Sequence, residues 1–152
     1  MSVLCIVTCG QRKIWDDHPE AGPTQAWYAY SGPLHRACQR YARKFHPDAW
    51  CILSAKHGFL YPTDVVPENY DVAFDLRDQG PISIDELKQQ ARDKKLTLYD
   101  RVVALGGRRY VGVVRQVFVG TSVDVHAPLE GLGGIGYMMQ ALNKAVEDRR
   151  PL

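Results

Sequence analysis

Four short apolar runs, each ending abruptly in a polar segment, are the feature that most limits what this chain can fold into. They cover residues 2–8, 50–54, 101–105 and 123–126. Continuous runs rich in β-branched residues are typical of strands that are covered on both faces. The sequence therefore predicts four buried strands, of which the run at residues 2–8 is a central one.

The segment 24–45 has the pattern of two helical pieces divided at Gly32 and Pro33. Pro33 suits the first turn of the second piece, and Ser31 is predicted to cap it. The second piece carries an apolar stripe at helical spacing, which predicts one buried face. The stripe consists of Leu34, Ala37, Cys38, Tyr41, Ala42 and Phe45.

The other face of the same helix is predicted to be exposed and basic. Its residues are His35, Arg36, Arg40, Arg43 and Lys44. Three more helices are expected. Ser83 and Glu86 have the spacing of a capping box for a helix that ends near Lys95, and apolar stripes predict helices at 111–118 and 137–148.

Strands that alternate with helices predict an α/β fold with right-handed crossovers. We expect one domain over residues 1–152, a three-layer α/β/α sandwich with a short, about four-stranded parallel sheet. The net charge of +2 is too small to demand a polyanionic partner, so local clusters of charge must decide that question.

The remaining composition predicts a soluble, cytoplasmic protein. No secretory leader pattern and no run of about eighteen apolar residues is present, so no membrane partner is expected. The four cysteines contain no C-x-x-C pair and are predicted to behave as small apolar side chains in a reducing compartment. We expect no metal and no cofactor, because the histidines do not fall at ligand spacing around the cysteines.

Ligands of open parallel sheets bind beyond the carboxyl ends of the strands. The first strand ends in TCGQRK, where Cys9, Gly10 and Lys13 can bring N–H groups and a cation to a phosphate. The second ends in SAKHG, where Ser54, Lys56 and Gly58 form either part of a site or an ordinary turn in which Gly58 takes a positive φ.

The long loop after the second strand favours a site. Prolines stiffen it, and its aromatic residues offer flat surfaces that would suit a planar ring. These aromatics could also serve only to fix the loop to the body of the protein. That alternative explains Tyr70 and its neighbour Asp71 less well than it explains Phe59 and Leu60.

The segments that follow the third and fourth predicted strands are also rich in glycine. Gly106, Arg108 and Tyr110 belong to GGRRY, which is either an anion site at a helix start or a close strand-to-helix turn. Glu130 and Gly131 lie in PLEGLGGIG. The Glu130 carboxylate is either a partner of the last helix dipole or a catalytic or base-reading group.

The segments that follow the four predicted strands, taken together, resemble those of a family of small bacterial and phage proteins catalogued as a domain of unknown function. The likeness rests on TCGQRK, an A-x-x-x-Y-x-G pattern that contains Tyr30, ILSAKHGFL, ENYD, GGRRY and PLEGLGGIG. The order of elements is also similar to the uracil-DNA-glycosylase-like fold, with His126 and Pro128 in the last loop. The His-Pro-Ser-Pro and Gly-Gln-Asp-Pro-Tyr patterns of that glycosylase are not present, so activity on uracil is not expected.

The leading hypothesis is an enzyme directed at a nucleotide or nucleobase, an N-glycosidase acting on a modified base. Such chemistry needs a carboxylate beside the sugar and donors to the departing base. Asp71 is the first candidate for the carboxylate and Glu130 the second. Lys56 would serve the leaving base or a phosphate, and Tyr70 would stack on the base. Ser54, Lys13 and Arg108 would hold phosphate.

Two other hypotheses remain open. The same loops could form a non-catalytic nucleotide or nucleic-acid binding module, in which the basic helix face docks on phosphates. The glycine-rich loop could also be an interface of a structural partner protein. The sequence does not indicate an oligomeric state.

Overall fold

The computed structural model describes residues 1–74 and 80–152. They form a mixed α/β fold with the strands β1 (Val3–Thr8), β2 (Thr24–Gln25), β3 (Trp50–Ser54), β4 (Gly58–Leu60), β5 (Val65–Val66), β6 (Arg101–Leu105) and β7 (Asp124–His126). Five of these strands form one sheet of order β4-β3-β1-β6-β7. The helices are α1 (Ile14–Asp17), α2 (Ala26–Ala29), α3 (Pro33–Phe45), α4 (Ile84–Asp93), α5 (Arg108–Phe118) and α6 (Ile135–Asp148), with a 3₁₀ turn at Leu96–Leu98.

The four predicted strands are confirmed as β1, β3, β6 and β7. They run parallel to one another, and β1 lies between β3 and β6, as its uniformly apolar sequence predicts. The expectation of about four strands is wrong by one. β4 pairs antiparallel with β3 in a segment predicted as loop, with Ile52 opposite Leu60.

The extra strand forms because three features of the structure agree. Gly58 has φ +79°, as predicted, which lets the chain reverse directly after β3. The Gln90 side chain of α4 then accepts a hydrogen bond from Phe59 N at 2.9 Å and donates one to His57 O at 3.0 Å. Phe59 and Leu60 are buried, so the hairpin closes one edge of the core.

Helix α3 corrects two predictions. Its cap is Gly32 rather than Ser31, because the first hydrogen bond of the helix runs from Arg36 N to Gly32 O at 3.0 Å. His35 is fully buried instead of exposed, since it lies under the end of β1, where Thr8 O bonds to its ring. Arg36, Arg40, Arg43 and Lys44 are exposed as predicted.

The sheet separates two apolar clusters, one on each face. Alternate residues of β1 supply them: Cys5 and Val7 belong to the cluster with α3 and α6, and Leu4 and Ile6 to the cluster with α4 and α5. The Ser83 cap of α4 is confirmed, since Ser83 Oγ accepts from Glu86 N at 3.1 Å. All four cysteines are buried, and all four thiols are free. Among the described residues, no helix has both the length and the apolar character needed to cross a bilayer.

Candidate functional site

Three cavities follow one another along the edge where the parallel strands end. The polar cavity, of about 700 Å³, is lined by Gln11, Arg12, Lys13, Asp16, Asn69, Tyr70 and Asp71. The aromatic cavity, of about 210 Å³, is lined by Thr8, Cys9, Gly10, Gln11, Ala55, Val72, Ala73, Phe74, Arg109 and Tyr110. The glycine-rich cavity, of about 640 Å³, is lined by Gly106, Gly107, Arg108, Val111, Leu129, Glu130, Gly131, Gly133 and Met138.

The polar and aromatic cavities share two walls. One wall is the loop after β1, in which Gln11 lines both cavities. The other is the segment 69–74, whose first half lines the polar cavity and whose second half lines the aromatic one. Along this segment the lining changes from Asn69 and Asp71 to Val72 and Phe74, so a single ligand could be polar at one end and apolar at the other.

Three buried hydroxyl groups fix the wall of the polar cavity. Tyr70 Oη lies 2.6 Å from Ser54 Oγ and 2.5 Å from Tyr30 Oη. Ser54 Oγ also accepts hydrogen bonds from Lys56 N at 3.2 Å and His57 N at 3.1 Å. Burial raises the pKa of Tyr30 to about 12 and raises that of Tyr70 as well, so both phenols are neutral at physiological pH. Ser54 thus holds Tyr70 in place and is itself fully buried.

Two lysines lie over the ring of Tyr70. Lys13 Nζ is 4.4 Å and Lys56 Nζ 5.5 Å from the ring centroid, within the range of cation–π attraction. Lys13 is only 4% exposed, and its Nζ donates to Gln11 O at 2.8 Å. Burial lowers the pKa of Lys13, while the nearby carboxylates of Asp16 and Asp71 oppose that change. A cation is therefore held beside the Asp71 carboxylate at the polar cavity.

Cys9 and Tyr110 form the boundary between the first strand and the aromatic cavity. Tyr110 Oη accepts a hydrogen bond from Cys9 N at 3.0 Å, and the Tyr110 ring meets Phe74 edge to face, with centroids 5.6 Å apart. Burial raises the pKa of the Cys9 thiol, although hydrogen bonds from Tyr110 and Ala55 and the charge of Lys13 oppose the shift. The thiol is accordingly neutral at physiological pH.

His35 contacts the end of β1 and the turn at Gly10, and it was not predicted as part of the site. Its Nδ1 donates to Thr8 O at 2.7 Å, and Gln39 Nε2 lies 2.9 Å from its Nε2, which fixes the neutral tautomer. Burial lowers the pKa of His35 to about 4. Its Cβ lies 3.9 Å from where a side chain on Gly10 would begin, and Gly10 has φ +70°. The spacing of His35 and Gln39, four residues apart on one helix, was the signal for this pair.

The predicted site residues divide between the cavities. Around the polar and aromatic cavities the structure brings together Cys9, Gly10, Lys13, Tyr30, Ser54, Lys56, Tyr70, Asp71 and Tyr110. Gly58 lies in the β3–β4 turn against Gln90. Gly106 packs between Thr8 and Tyr110, with only 3.1 Å from its Cβ position to Tyr110 Cβ, and also lines the glycine-rich cavity.

Glu130, Gly131 and Arg108 line the glycine-rich cavity instead. Glu130 Oε1 accepts a hydrogen bond from Arg115 at 3.1 Å, so its charge is neutralised by α5. Gly131 has φ +83°, which the loop requires at that position. Within residues 1–74 and 80–152, no group of three or more histidines, cysteines and carboxylates is placed to hold a metal ion.

Comparison with known proteins gives a family for this chain. The family of unknown function DUF6884 matches residues 4–144. The chain is also 47% identical over 152 residues to the uncharacterized protein YfjM of Bacillus subtilis (strain 168), with both proteins covered completely. A match that extends from β1 to α6 includes every element that lines the three cavities. The chain therefore belongs to the DUF6884 family.

Proposed function

We propose that this protein is an N-glycosidase that acts on a nucleotide or on a modified base in nucleic acid. One observation carries the proposal: the two cavities that share Gln11 and the segment 69–74 change from charged to aromatic, and Asp71 is the last residue of that segment to line the polar cavity. A nucleotide has the same polarity, with an anionic sugar-phosphate joined to a flat base whose faces are apolar.

The base belongs in the aromatic cavity. Its volume of about 210 Å³ suits a single heterocycle, and Phe74 and Tyr110 give it an aromatic wall. Tyr70 is less suited to stacking than its sequence position suggests, because Lys13 and Lys56 lie over its ring. A base in a duplex would have to leave the stack to reach this cavity.

The sugar and phosphate belong in the polar cavity. Lys13 is held there by Gln11 O and faces the charge of Asp71, and Arg12 is half exposed and paired with Asp17 at 2.6 Å. Lys56 adds a second ammonium group above Tyr70. These cations can bind phosphate oxygens without a metal ion.

In this proposal Asp71 acts at the bond between sugar and base. As the C1′–N bond breaks, its electron pair leaves with the base nitrogen and positive charge develops on the sugar ring. A carboxylate stabilises that charge and directs a water molecule to C1′, while a donor protonates the departing base. Lys56 is the candidate donor, and the water that attacks C1′ loses its proton to the carboxylate or to solvent.

The resemblance of the order of elements to the uracil-DNA-glycosylase-like fold, with His126 and Pro128 in the last loop, also supports the proposal. The four buried thiols suit a reducing compartment such as the cytoplasm. A second candidate, a binding module without catalysis, is favoured by the pair of ammonium groups over Tyr70, which would bind phosphate without any chemistry.

The decisive experiment is to incubate the protein with DNA that carries normal and modified bases, and with the corresponding free nucleotides. Released base and abasic sites are measured by mass spectrometry. An N-glycosidase releases base from at least one of these substrates in proportion to enzyme concentration. If the protein binds these substrates and releases no base from any of them, the N-glycosidase is contradicted and the binding module remains.

A further inference from the structure

A second surface, outside the three cavities, combines exposed aromatic rings with arginines. We call it the α2–α3 surface, and it consists of Trp27, Tyr28, Arg36, Arg40 and Arg43. Tyr28 is 61% exposed, so its ring is open to a ligand. Its ring lies 5.1 Å from that of Trp27, and the Arg43 guanidinium lies 5.1 Å from the Trp27 ring on the same surface.

The charge of this surface has one sign. Helix α3 contains no aspartate or glutamate, and none of its three arginines forms an ion pair within the described parts of the chain. Arg40 instead donates to Asn143 Oδ1 at 3.2 Å, which leaves its charge unopposed. Arg36 and Arg43 are seven residues apart, about 10 Å along the helix, so the arginines form a row rather than a point.

The α2–α3 surface also contains a cavity in which a flat group such as a base could bind. A cavity of about 250 Å³ is lined by Trp27, Tyr28, Tyr30, Arg36, Gln39 and Arg40. Aromatic rings beside a row of cations are the combination that binds single-stranded nucleic acid, in which bases stack on rings and phosphates meet cations.

The α2–α3 surface and the polar cavity are built from chain segments that are bonded to one another. Tyr30 lines the cavity of the α2–α3 surface and bonds through its hydroxyl to Tyr70, which lines the polar cavity. Ser31 N donates to Arg12 O at 3.0 Å, and Tyr30 is bridged to Lys13. The chain segments that form the two places are thus bonded together, and one extended strand could contact both.

We propose that the α2–α3 surface binds single-stranded nucleic acid and delivers one nucleotide of the strand to the polar cavity. The inference rests on the proposed function, which it deepens by making the substrate a polynucleotide rather than a free nucleotide. A duplex fits the surface less well, because its bases are stacked inside and cannot reach Tyr28.

The test measures binding alone, by fluorescence anisotropy of a labelled single-stranded oligonucleotide of about twelve nucleotides across a range of salt concentrations. The Arg36→Gln/Arg40→Gln double variant removes two phosphate contacts. Its plot of log affinity against log salt should therefore be shallower by about 1.4 than that of the parent protein. The matched control is the double variant Lys88→Gln/Arg92→Gln, which removes the same charge. Both residues belong to α4, on the opposite face of the sheet. The control should keep the slope of the parent.

A second pair of variants separates stacking from charge. Tyr28→Ala should weaken binding of the oligonucleotide at least about fivefold, whereas Tyr28→Phe, which keeps the ring, should bind like the parent. An abasic oligonucleotide of the same length carries the same phosphates, and its binding should not respond to Tyr28→Ala. Melting temperatures near that of the parent would show that the variants are folded.

Three outcomes would overturn the inference: no binding of the oligonucleotide at low salt, equal loss in the α3 and α4 double variants, or no response to Tyr28→Ala. The proposed function fails on a different result. Binding that follows the expected pattern, without base release from any substrate, would support this surface and contradict the N-glycosidase. Base release from free nucleotides without oligonucleotide binding would do the reverse.

Discussion

Asp71 carries the chemistry of the proposed function, because its carboxylate lines the polar cavity beside Lys13. Asp71→Asn keeps the size of the side chain and removes its charge. Turnover should fall at least about a hundredfold, roughly 2.7 kcal/mol of transition-state stabilisation, while ligand affinity stays level or improves. Steady-state kinetics and equilibrium binding on the same substrate measure the two effects.

Glu130→Gln is the matched control for that experiment. Glu130 lies in the glycine-rich cavity, where Arg115 neutralises it, so its variant should keep turnover close to that of the parent. If Asp71→Asn also kept full activity, Asp71 would not be the catalyst and the mechanism would have to be abandoned.

His35 makes the stability of the protein depend on pH. Its pKa is about 4 in the folded state, whereas an unfolded chain restores a value near 6.5. The unfolded state therefore binds the proton more tightly. The stability that neutral His35 contributes is fully present above pH 6.5 and is lost as the pH falls towards 4, by up to about 3 kcal/mol. Urea unfolding at a series of pH values measures this loss.

His35→Gln provides the comparison, because the pKa of His46 and of His57 is also lowered by burial and adds to the slope in the parent. The difference in unfolding free energy between parent and variant should shrink as the pH falls from 7 to 4. A difference that stays constant over this range would show that His35 does not titrate as its burial requires.

For single residues, the sequence predicted well which residues belong to the candidate site and poorly which groups they contact. Lys13 was selected because it follows a strand, a rule that requires only the order of elements, and Tyr70 and Asp71 because they lie in the proline-stiffened loop after the second predicted strand. The hydroxyl contacts of Tyr70 and the burial of His35 depend on how α3 is rotated against β1, which a single helix pattern does not determine. Gln11 lines both cavities but was not selected, because the packing that brings it there is not visible in the pattern of a single element.

Among the elements, the β3–β4 hairpin depends most on one residue. Gly58 has φ +79°, and a Cβ there would lie 2.1 Å from Gln90 Oε1, which Phe59 N needs as an acceptor. Gly58→Ala should therefore lower the free energy of unfolding by about 2–4 kcal/mol, from backbone strain and weakened hydrogen bonds. Chemical denaturation measures the change.

Gly112→Ala is the same chemical change in a place that tolerates it. Gly112 lies inside α5, where a Cβ would meet nothing within 4 Å, so alanine should stabilise the protein by about 0.5–1 kcal/mol. Loss of stability at both positions, or at neither, would contradict the strain that the structure places at Gly58.

The elements were predicted best where a local signal and the tertiary packing agree. The β-branched runs gave β3 and β6 with their observed bounds, and Ser83 caps α4 as its capping box predicts. The hairpin strand β4 was missed because three residues are too few to show a period, and its pairing with β3 depends on Gln90 from a later helix. Ser31 was misassigned by one residue because the helix starts with the bond from Arg36 N to Gly32 O, and the sequence pattern does not fix a helix end to one residue.

The molecule as a whole is two apolar clusters joined by one sheet, and this arrangement predicts a single unfolding transition. All three tryptophans belong to or pack against the cluster on the α3–α6 face. Leu87 lies in the other cluster and is fully buried, so Leu87→Ala should cost about 2–5 kcal/mol. Because β1 contributes alternate residues to both clusters, tryptophan fluorescence and far-UV circular dichroism should still report the same denaturation midpoint.

Leu142→Ala, in the tryptophan-containing cluster, is the matched control and should behave in the same way. A fluorescence midpoint that stays at the parent value in Leu87→Ala, while circular dichroism shifts, would show that the two faces of the sheet unfold separately.

The three hydroxyls behind the polar cavity have a fixed direction. Two N–H groups occupy the acceptor sites of Ser54 Oγ, so its hydrogen points to Tyr70, and the hydrogen of Tyr70 in turn points to Tyr30. Because Tyr30 is only 2% exposed, this row of hydroxyls is closed to solvent, and its consequence is that the Tyr70 ring is held in one orientation beneath the two ammonium groups.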